Sequence, residues 1–540
     1  MKKTIVIGFD GATPQLIKKW SQQGKLPNFS KILSDGVYGD LETTIPPLTP
    51  CAWSSFMTGK NPGKHGIYDF FYLDKQHEIK INTSNSRSAK DIWEILSEND
   101  FKCFVFNVPF TYPPKKIKGL MVTDFTTPST DSEFTYPVSL RETILKKYTG
   151  FAFSEKSKYA ENYKARRDFR NDVFNLADLR FKIANDLIKE NECDFYMVTF
   201  MIADHIQHWY WKFMDREHPD YIKDDNFEKT IENAYIKLDS FLGELMKTFS
   251  GHNIFIMSDH GSGPYYQDVT LNNWLMDQGY LCMKKNQSAF KNVLGRIGVN
   301  KLITFGLNIG LWKMVSKSSK LKSFIQKKMM RTYQDIDWEK TKAFSFGYYG
   351  PIFLNKEAVP SREKQSALKN ELKEKLFEIR EPRTQKQLIN KVWFKEQLYE
   401  GQKTDILPDI VTDIGDFKYA SSSSFPFSSP QLFSNPKTFK TGDHSMHGIF
   451  MAYGPDIKKG REIKNARIYD VAPTILRMFD IKAPEDMDGK ILKDIFNENA
   501  NFSNTKKKPA GNYTSQEERK DLTDRDEEKV KDRLKDLGYF

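Results

Sequence analysis

Cysteine is scarce in this 540-residue chain: Cys51, Cys103, Cys193 and Cys282 are scattered, and none belongs to a CxxC pair. Neither a disulfide framework nor a cysteine-held zinc site is indicated, and a reducing compartment fits best. Long apolar runs are lacking too. No stretch of about 18 uncharged apolar residues is present to span a bilayer, and the opening "MKKTIVIGFDG" has no apolar segment followed by a small-residue cleavage site. We therefore expect a cytoplasmic protein, peripheral to a membrane at most. A third absence is local. From Lys284 to Thr332 there are twelve Lys or Arg and no Asp or Glu, a larger excess than the net +11 of the whole chain. The remainder is close to neutral, which argues against a protein that coats nucleic acid.

What is present is a folded-protein composition, 39% hydrophobic with 41 Phe and 24 Tyr. Five short apolar runs end in polar loops: "TIVIGFDG" (4–11), "KCFVFNVP" (102–109), "CDFYMVTFMIADH" (193–205), "NIFIMSDHGSG" (253–263) and "HGIFMAYG" (447–454). Near-continuous apolar strands suit a sheet buried on both faces. Between them lie segments of helical spacing, "SAKDIWEILSEND" (88–100, with Ser88 as cap) and "NFEKTIENAYIKLDSFLGELMKTF" (226–249). The alternation predicts an α/β fold, a three-layer αβα sandwich on a mostly parallel sheet. We divide it into a core (1–264), an inserted cap (265–440), a closing part of the core (441–496) and a charged flexible tail (497–540), which has room for one charged helix. No internal repeat is seen.

In open sheets of this kind ligands bind beyond the carboxyl ends of strands. Asp10, Asp204, Asp259 and His260 fall at or just after such ends. Asp204 and His208 are four apart, on one face if helical; "GDHSMHGIF" (442–450) adds His444 and His447. Each is unremarkable alone, since Asp and Gly are common turn residues. Together they supply the six or so carboxylate and imidazole ligands that two divalent ions about 4 Å apart require. The stretch "TTIPPLTPCAWSSFMTGKNPGKHGIYDF" (43–70) offers Thr49, Cys51, Ser54, Ser55 and His65 as further candidates.

These motifs resemble the alkaline phosphatase superfamily, most closely its phosphodiesterase and nucleotide pyrophosphatase branch. The match runs through Asp10, Thr49 with "TGKNPGKHG" (58–66), Asp204 and His208, Asp259 and His260, His444 in "HSMHGIF", and the closing "IYDVAPTILRMFDIKAPEDMDGKIL" (468–492). The resemblance implies a two-metal hydrolase of phosphodiester or pyrophosphate bonds. Thr49, ten residues before Gly59, would be the nucleophile and form a covalent phospho-threonine intermediate. Asp204, His208 and His444 would hold one ion; Asp10, Asp259, His260 and Thr49 would hold the other. Zn2+ is the expected metal, with Mn2+ the alternative. His444 is preferred to His447 by its spacing to the following Gly, His65 reads as structural or supporting, and His205 as either.

Two departures from the family pattern stand out. Thr49 and Trp53 replace the Cys and the Arg four residues on that mark sulfatases, which disfavours sulfate esters. Phe70 lies near the place where nucleotide pyrophosphatases carry an Asn, which puts nucleotide specificity in doubt. Lys60 and Lys64 read as solvated loop lysines in preference to substrate contacts. The stretch 284–331 mixes apolar and basic residues, which suits a packed cap helix, contact with an anionic membrane, or steering of an anionic substrate. The expected substrate is a small phosphorylated molecule or a lipid-linked phosphate, with no specific nucleic acid. The alternatives are a phosphomonoesterase or phosphomutase of the same superfamily, and an inactive metal-stabilised module at a membrane surface.

Overall fold

The computed structural model describes residues 3–284, 332–421, 431–436, 438–498, 500 and 522–539. Nearly all of the basic stretch 284–331 and of the Ser/Pro-rich 421–430 therefore lies outside the described residues. At the centre is a large sheet. In spatial order its strands are Arg461–Glu462, Val37–Glu42, His447–Tyr453, Asn253–Met257, Thr4–Phe9, Phe195–Phe200, Cys103–Phe106, Gly119–Val122 and Thr135–Tyr136. The strands from 253–257 through 119–122 run parallel to one another, and 447–453 and 135–136 run antiparallel to their neighbours. All five apolar runs read from the sequence are strands of this sheet.

Alternation along the strands explains why both faces are covered. In Thr4–Phe9 the side chains of Ile5, Ile7 and Phe9 enter one core and Val6 the other. The first core is closed by helices Pro14–Gln22, Pro27–Asp35, Tyr163–Glu190, Ile202–Met214 and Thr230–Thr248, through residues such as Trp20, Phe29, Ile183, Ile206 and Leu238. The second core is closed by Thr49–Thr58, Ile92–Glu98 and Val471–Met478, through Trp53, Ile92 and Ile475. A helix layer on each face of a mostly parallel sheet is the expected three-layer sandwich.

One helix start differs from the expected one, and the cap and the tail show structure that the sequence left open. The helix expected over 88–100 is shorter, Ile92–Glu98, and Ser88 does not cap it: the Ser88 amide is used by the His65 carbonyl, and Glu94 reaches back to the Asp91 amide at 2.9 Å. Residues 332–421 form a four-stranded antiparallel sheet of Ala343–Ser345, Ile352–Leu354, Ile410–Ile414 and Ile389–Phe394 with a helix Arg362–Phe377. The chain's end is not simply a charged tail. Helix Asp524–Asp536 packs Val530 and Leu534 into the second core, and Leu537 and Tyr539 follow them. Its four apolar positions are outnumbered by charges, so composition hid a one-sided face.

Candidate active site

Three adjacent strands deliver the acidic residues. Asp10 follows Thr4–Phe9. Asp259 and His260 follow Asn253–Met257. Asp204 sits in the first turn of the helix that begins just beyond Phe195–Phe200, with His208 one turn later. His444 arrives on Gly442–Ser445, which pairs antiparallel with Gly261–Pro264 so that His444 lies opposite Ser262. Thr49 is the first residue of a ten-residue helix, where the helix dipole favours an approaching anion. Every one of these side chains is buried, Thr49, Asp10, Asp259 and His260 completely.

The structure brings the expected ligands together in three overlapping groups, His208 being grouped with His444 and Asp443 and not in one set with both Asp204 and His444. Ligand atoms of Asp10, Asp259 and His260 lie within 4.8 Å of one another, as do those of Asp204, His260 and His444. The Nε2 of His260 is 3.1 Å from Asp259 Oδ2 and 3.2 Å from Thr49 Oγ1. Asp204 Oδ1 is 3.2 Å from His208 Nε2 and 3.4 Å from His444 Nε2. The imidazole of His444 stacks on that of His260 with centroids 3.6 Å apart.

Hydrogen bonding fixes what these groups offer. The Nδ1 atoms of His208, His260 and His444 face the carbonyls of Gly442, Gly261 and Pro47 at 2.9, 2.9 and 2.7 Å. A carbonyl only accepts, so each Nδ1 carries the hydrogen and each Nε2 presents a lone pair to the site, the usual arrangement of a histidine ligand. Asp10 Oδ1, Asp204 Oδ1, Asp259 Oδ2, His208 Nε2 and His444 Nε2 are all buried without a hydrogen-bond partner. Buried polar atoms are normally satisfied, so five orphans converging from five expected ligands fit divalent cations. The outer oxygens are held: Trp53 Nε1 donates to Asp10 Oδ2 at 2.8 Å, and the Gly11 amide to Asp259 Oδ1 at 3.3 Å.

The electrostatics agree with that fit. Burial, reinforced by Asp259 and Asp204, holds the Asp10 carboxyl well above the usual range. Burial pushes Asp259 up to about 8. Burial and the neighbouring His444 keep His260 neutral, well below the ordinary histidine value. Asp204 runs the other way: burial would raise it, but His208 and His444 hold it well below the ordinary range. Three carboxylates this close, beside three imidazoles that present lone pairs, need positive charge between them to be ionised together.

Other candidates are placed elsewhere. Cys51 is buried and its thiol is pushed up to about 12 by that burial, so it is no nucleophile. His65 bonds Ser55 Oγ at 2.9 Å and accepts from the Ile67 amide, a structural role. His205 points at Glu155, 2.8 Å away, and His447 is exposed. Lys60 and Lys64 are not solvated loop lysines: they pair with Asp486 and Asp488 of the closing loop. Three contributors escaped the sequence reading. Asp443 accepts from Tyr348 at 2.6 Å and groups with His208 and His444. Lys440 is buried with its Nζ 3.6 Å from Asp443. Tyr539 donates to Asp204 Oδ2 at 2.6 Å. The lone signal for Asp443 was its place beside His444; nothing in sequence marks the other two.

Comparisons with known proteins point the same way. No curated protein matches the sequence significantly. In fold, the chain is similar to murine ectonucleotide pyrophosphatase/phosphodiesterase 5 (TM-score 0.51, 13% identity, over 92% of this chain and 100% of that one) and to its human counterpart (0.50, 14%, the same shares). It is also similar to phosphonoacetate hydrolase from Sinorhizobium meliloti 1021, solved with phosphonoformate (0.51, 13%, over 87% of this chain and 94% of that one). The profile of type I phosphodiesterases/nucleotide pyrophosphatases matches residues 4–445. Sheet, ligand cluster and sequence profile thus agree, and the chain belongs to the type I phosphodiesterase/nucleotide pyrophosphatase family of the alkaline phosphatase superfamily.

Proposed function

We propose that this enzyme hydrolyses phosphodiester or pyrophosphate bonds through a phosphoryl adduct on Thr49, with two divalent cations, zinc in the first instance, held by Asp204, His208 and His444 and by Asp10, Asp259, His260 and Thr49. The observation that carries the reading is the convergence of five unpartnered ligand atoms in one buried cluster, to which His260 Nε2 joins a hydroxyl at a helix N-terminus. When bound, such cations neutralise the phosphoryl oxygens and lower the pKa of the attacking hydroxyl and of the hydrolytic water.

The chain's own residues do the rest. The Thr49 hydroxyl lies 3.2 Å from His260 Nε2, which places it at the edge of the cluster where it can join His260 on the same cation. Attack forms a bond from Thr49 Oγ1 to phosphorus and breaks the bond to the leaving oxygen, which departs with a proton; water then cleaves the threonine ester and regenerates the hydroxyl. Trp53, by donating to Asp10, and the Gly11 amide, by donating to Asp259, keep the acidic ligands oriented through both half-reactions. The test compares the zinc-loaded protein on bis-p-nitrophenyl phosphate, p-nitrophenyl phosphate and p-nitrophenyl sulfate. We expect the diester to be cleaved fastest. Preference for the monoester would reassign the enzyme as a phosphatase, and no metal-dependent turnover would support the non-catalytic module.

A further inference from the structure

The C-terminus returns to the catalytic centre by a built route. In helix Asp524–Asp536, Val530 and Leu534 are buried and Arg533 donates to the carbonyls of Phe125, Thr127 and Pro128. Gly538 then turns the chain at φ +82, a conformation glycine adopts freely, and a Cβ there would meet Lys440 Cε at 2.2 Å unless that side chain moved. Tyr539 follows, 3% exposed, its ring centred 5.1 Å from that of Phe70, 5.6 Å from His208 and 5.8 Å from His444, with Lys440 Nζ 5.0 Å from its centroid.

Its hydroxyl donates to Asp204 Oδ2 at 2.6 Å, while Asp204 Oδ1 is left unpartnered, 3.2 and 3.4 Å from the Nε2 atoms of His208 and His444. A carboxylate can turn about its Cβ–Cγ bond, and a donor on one oxygen decides which oxygen faces the imidazoles. We propose that Tyr539 is a positioning residue of the active site, a C-terminal side chain that holds Asp204 so that Oδ1 completes the ligand set with His208 and His444. The inference rests on reading that trio as metal ligands. It makes residue 539, beyond every motif read in the sequence, a working part of the centre.

Outer-sphere partners of a ligating carboxylate are worth about 10- to 100-fold in metal affinity. Zinc titration of the metal-free protein by calorimetry with a competing chelator should therefore show one of two sites weakened by about that factor in Tyr539→Phe. Phenylalanine keeps the ring packing and removes only the donor to Asp204 Oδ2, so the metal-free variant should fold cooperatively and melt a little below the parent, while the weakening confined to one zinc site separates positioning from folding. A chain ending at Leu537 should show the same weakened site. Unchanged zinc affinity in Tyr539→Phe would overturn the proposal, as would faster diester turnover by the shortened chain, since the tail would then be an obstruction. Weakened zinc binding in a protein that hydrolyses no ester would sink the hydrolase reading and leave this one standing.

Discussion

Thr49 is one of several hydroxyls and thiols between residues 43 and 70, and the structure separates them by what each touches. Ser55 is spent on His65, Cys51 is buried with its thiol raised, and Thr49 alone faces the ligand cluster through His260. Thr49→Ala should lower diester turnover by at least about 10^3-fold while leaving zinc bound, read by steady-state kinetics beside metal analysis. Asp259 gives a pH prediction. Its carboxyl, pushed up to about 8, is protonated in the metal-free fold at neutral pH, so cation binding must expel a proton. Zinc affinity should rise with pH from 6 to about 8 as the Asp259 proton is lost, the raised Asp10 carboxyl adding to the protons expelled, and proton release, read in buffers of different ionisation enthalpy, should diminish over the same range. At this scale the sequence was legible where a motif fixed spacing, as at Asp204 and His208. It was silent on Tyr539, brought to Asp204 from 335 positions away by packing alone.

At the scale of elements, the strand Thr4–Phe9 shows how backbone geometry reaches the chemistry. Gly8 lies under Trp53, and a Cβ there would meet the ring at 2.6 Å and Thr199 Oγ1 at 2.9 Å, both side chains being buried. Gly8→Ala should therefore cost about 1–3 kcal/mol of stability by overpacking, measured by denaturant unfolding, and weaken zinc binding by displacing the indole that holds Asp10. The apolar runs made five strands of the sheet readable, because burial on both faces leaves a continuous signal; Val37–Glu42, Gly119–Val122 and the two-residue edge strands carried no such run. Direction was less readable: nothing local told that His447–Tyr453 runs antiparallel. The cap of helix Ile92–Glu98 was misplaced for a partly tertiary reason. Glu94 reaches back to the Asp91 amide, Arg87 pairs with Asp91 four residues on at 2.7 Å inside the core, and Lys115 joins Glu94 at 2.7 Å from further along the chain, so a local capping pair held by buried ion pairs sets where that helix begins. Breaking this buried network with Asp91→Ala should cost about 3–5 kcal/mol, read as a lower denaturation midpoint.

Across the whole molecule, one cluster collects residues from position 10 to position 539, so cation binding and folding are coupled. A ligand that binds only the folded state stabilises it by about 2.7 kcal/mol at one hundred times its dissociation constant. Chelation should lower the melting temperature, and restored zinc should reverse it. Membership of the family was legible because its ligands follow strand ends in fixed order; the substrate was not, because the elements around the site come from the insertion and the C-terminus, where no motif guided the reading. No helix among the described residues is long and apolar enough to cross a membrane. The central claim is that Thr49 carries the phosphoryl group. Acid quenching of the zinc-loaded enzyme during turnover of bis-p-nitrophenyl phosphate, followed by mass spectrometry of its peptides, tests this directly. A phosphoester adduct is expected on Thr49 and absent from Thr49→Ala; steady turnover with no adduct at Thr49, or with one on another residue, would rule out Thr49 as the nucleophile.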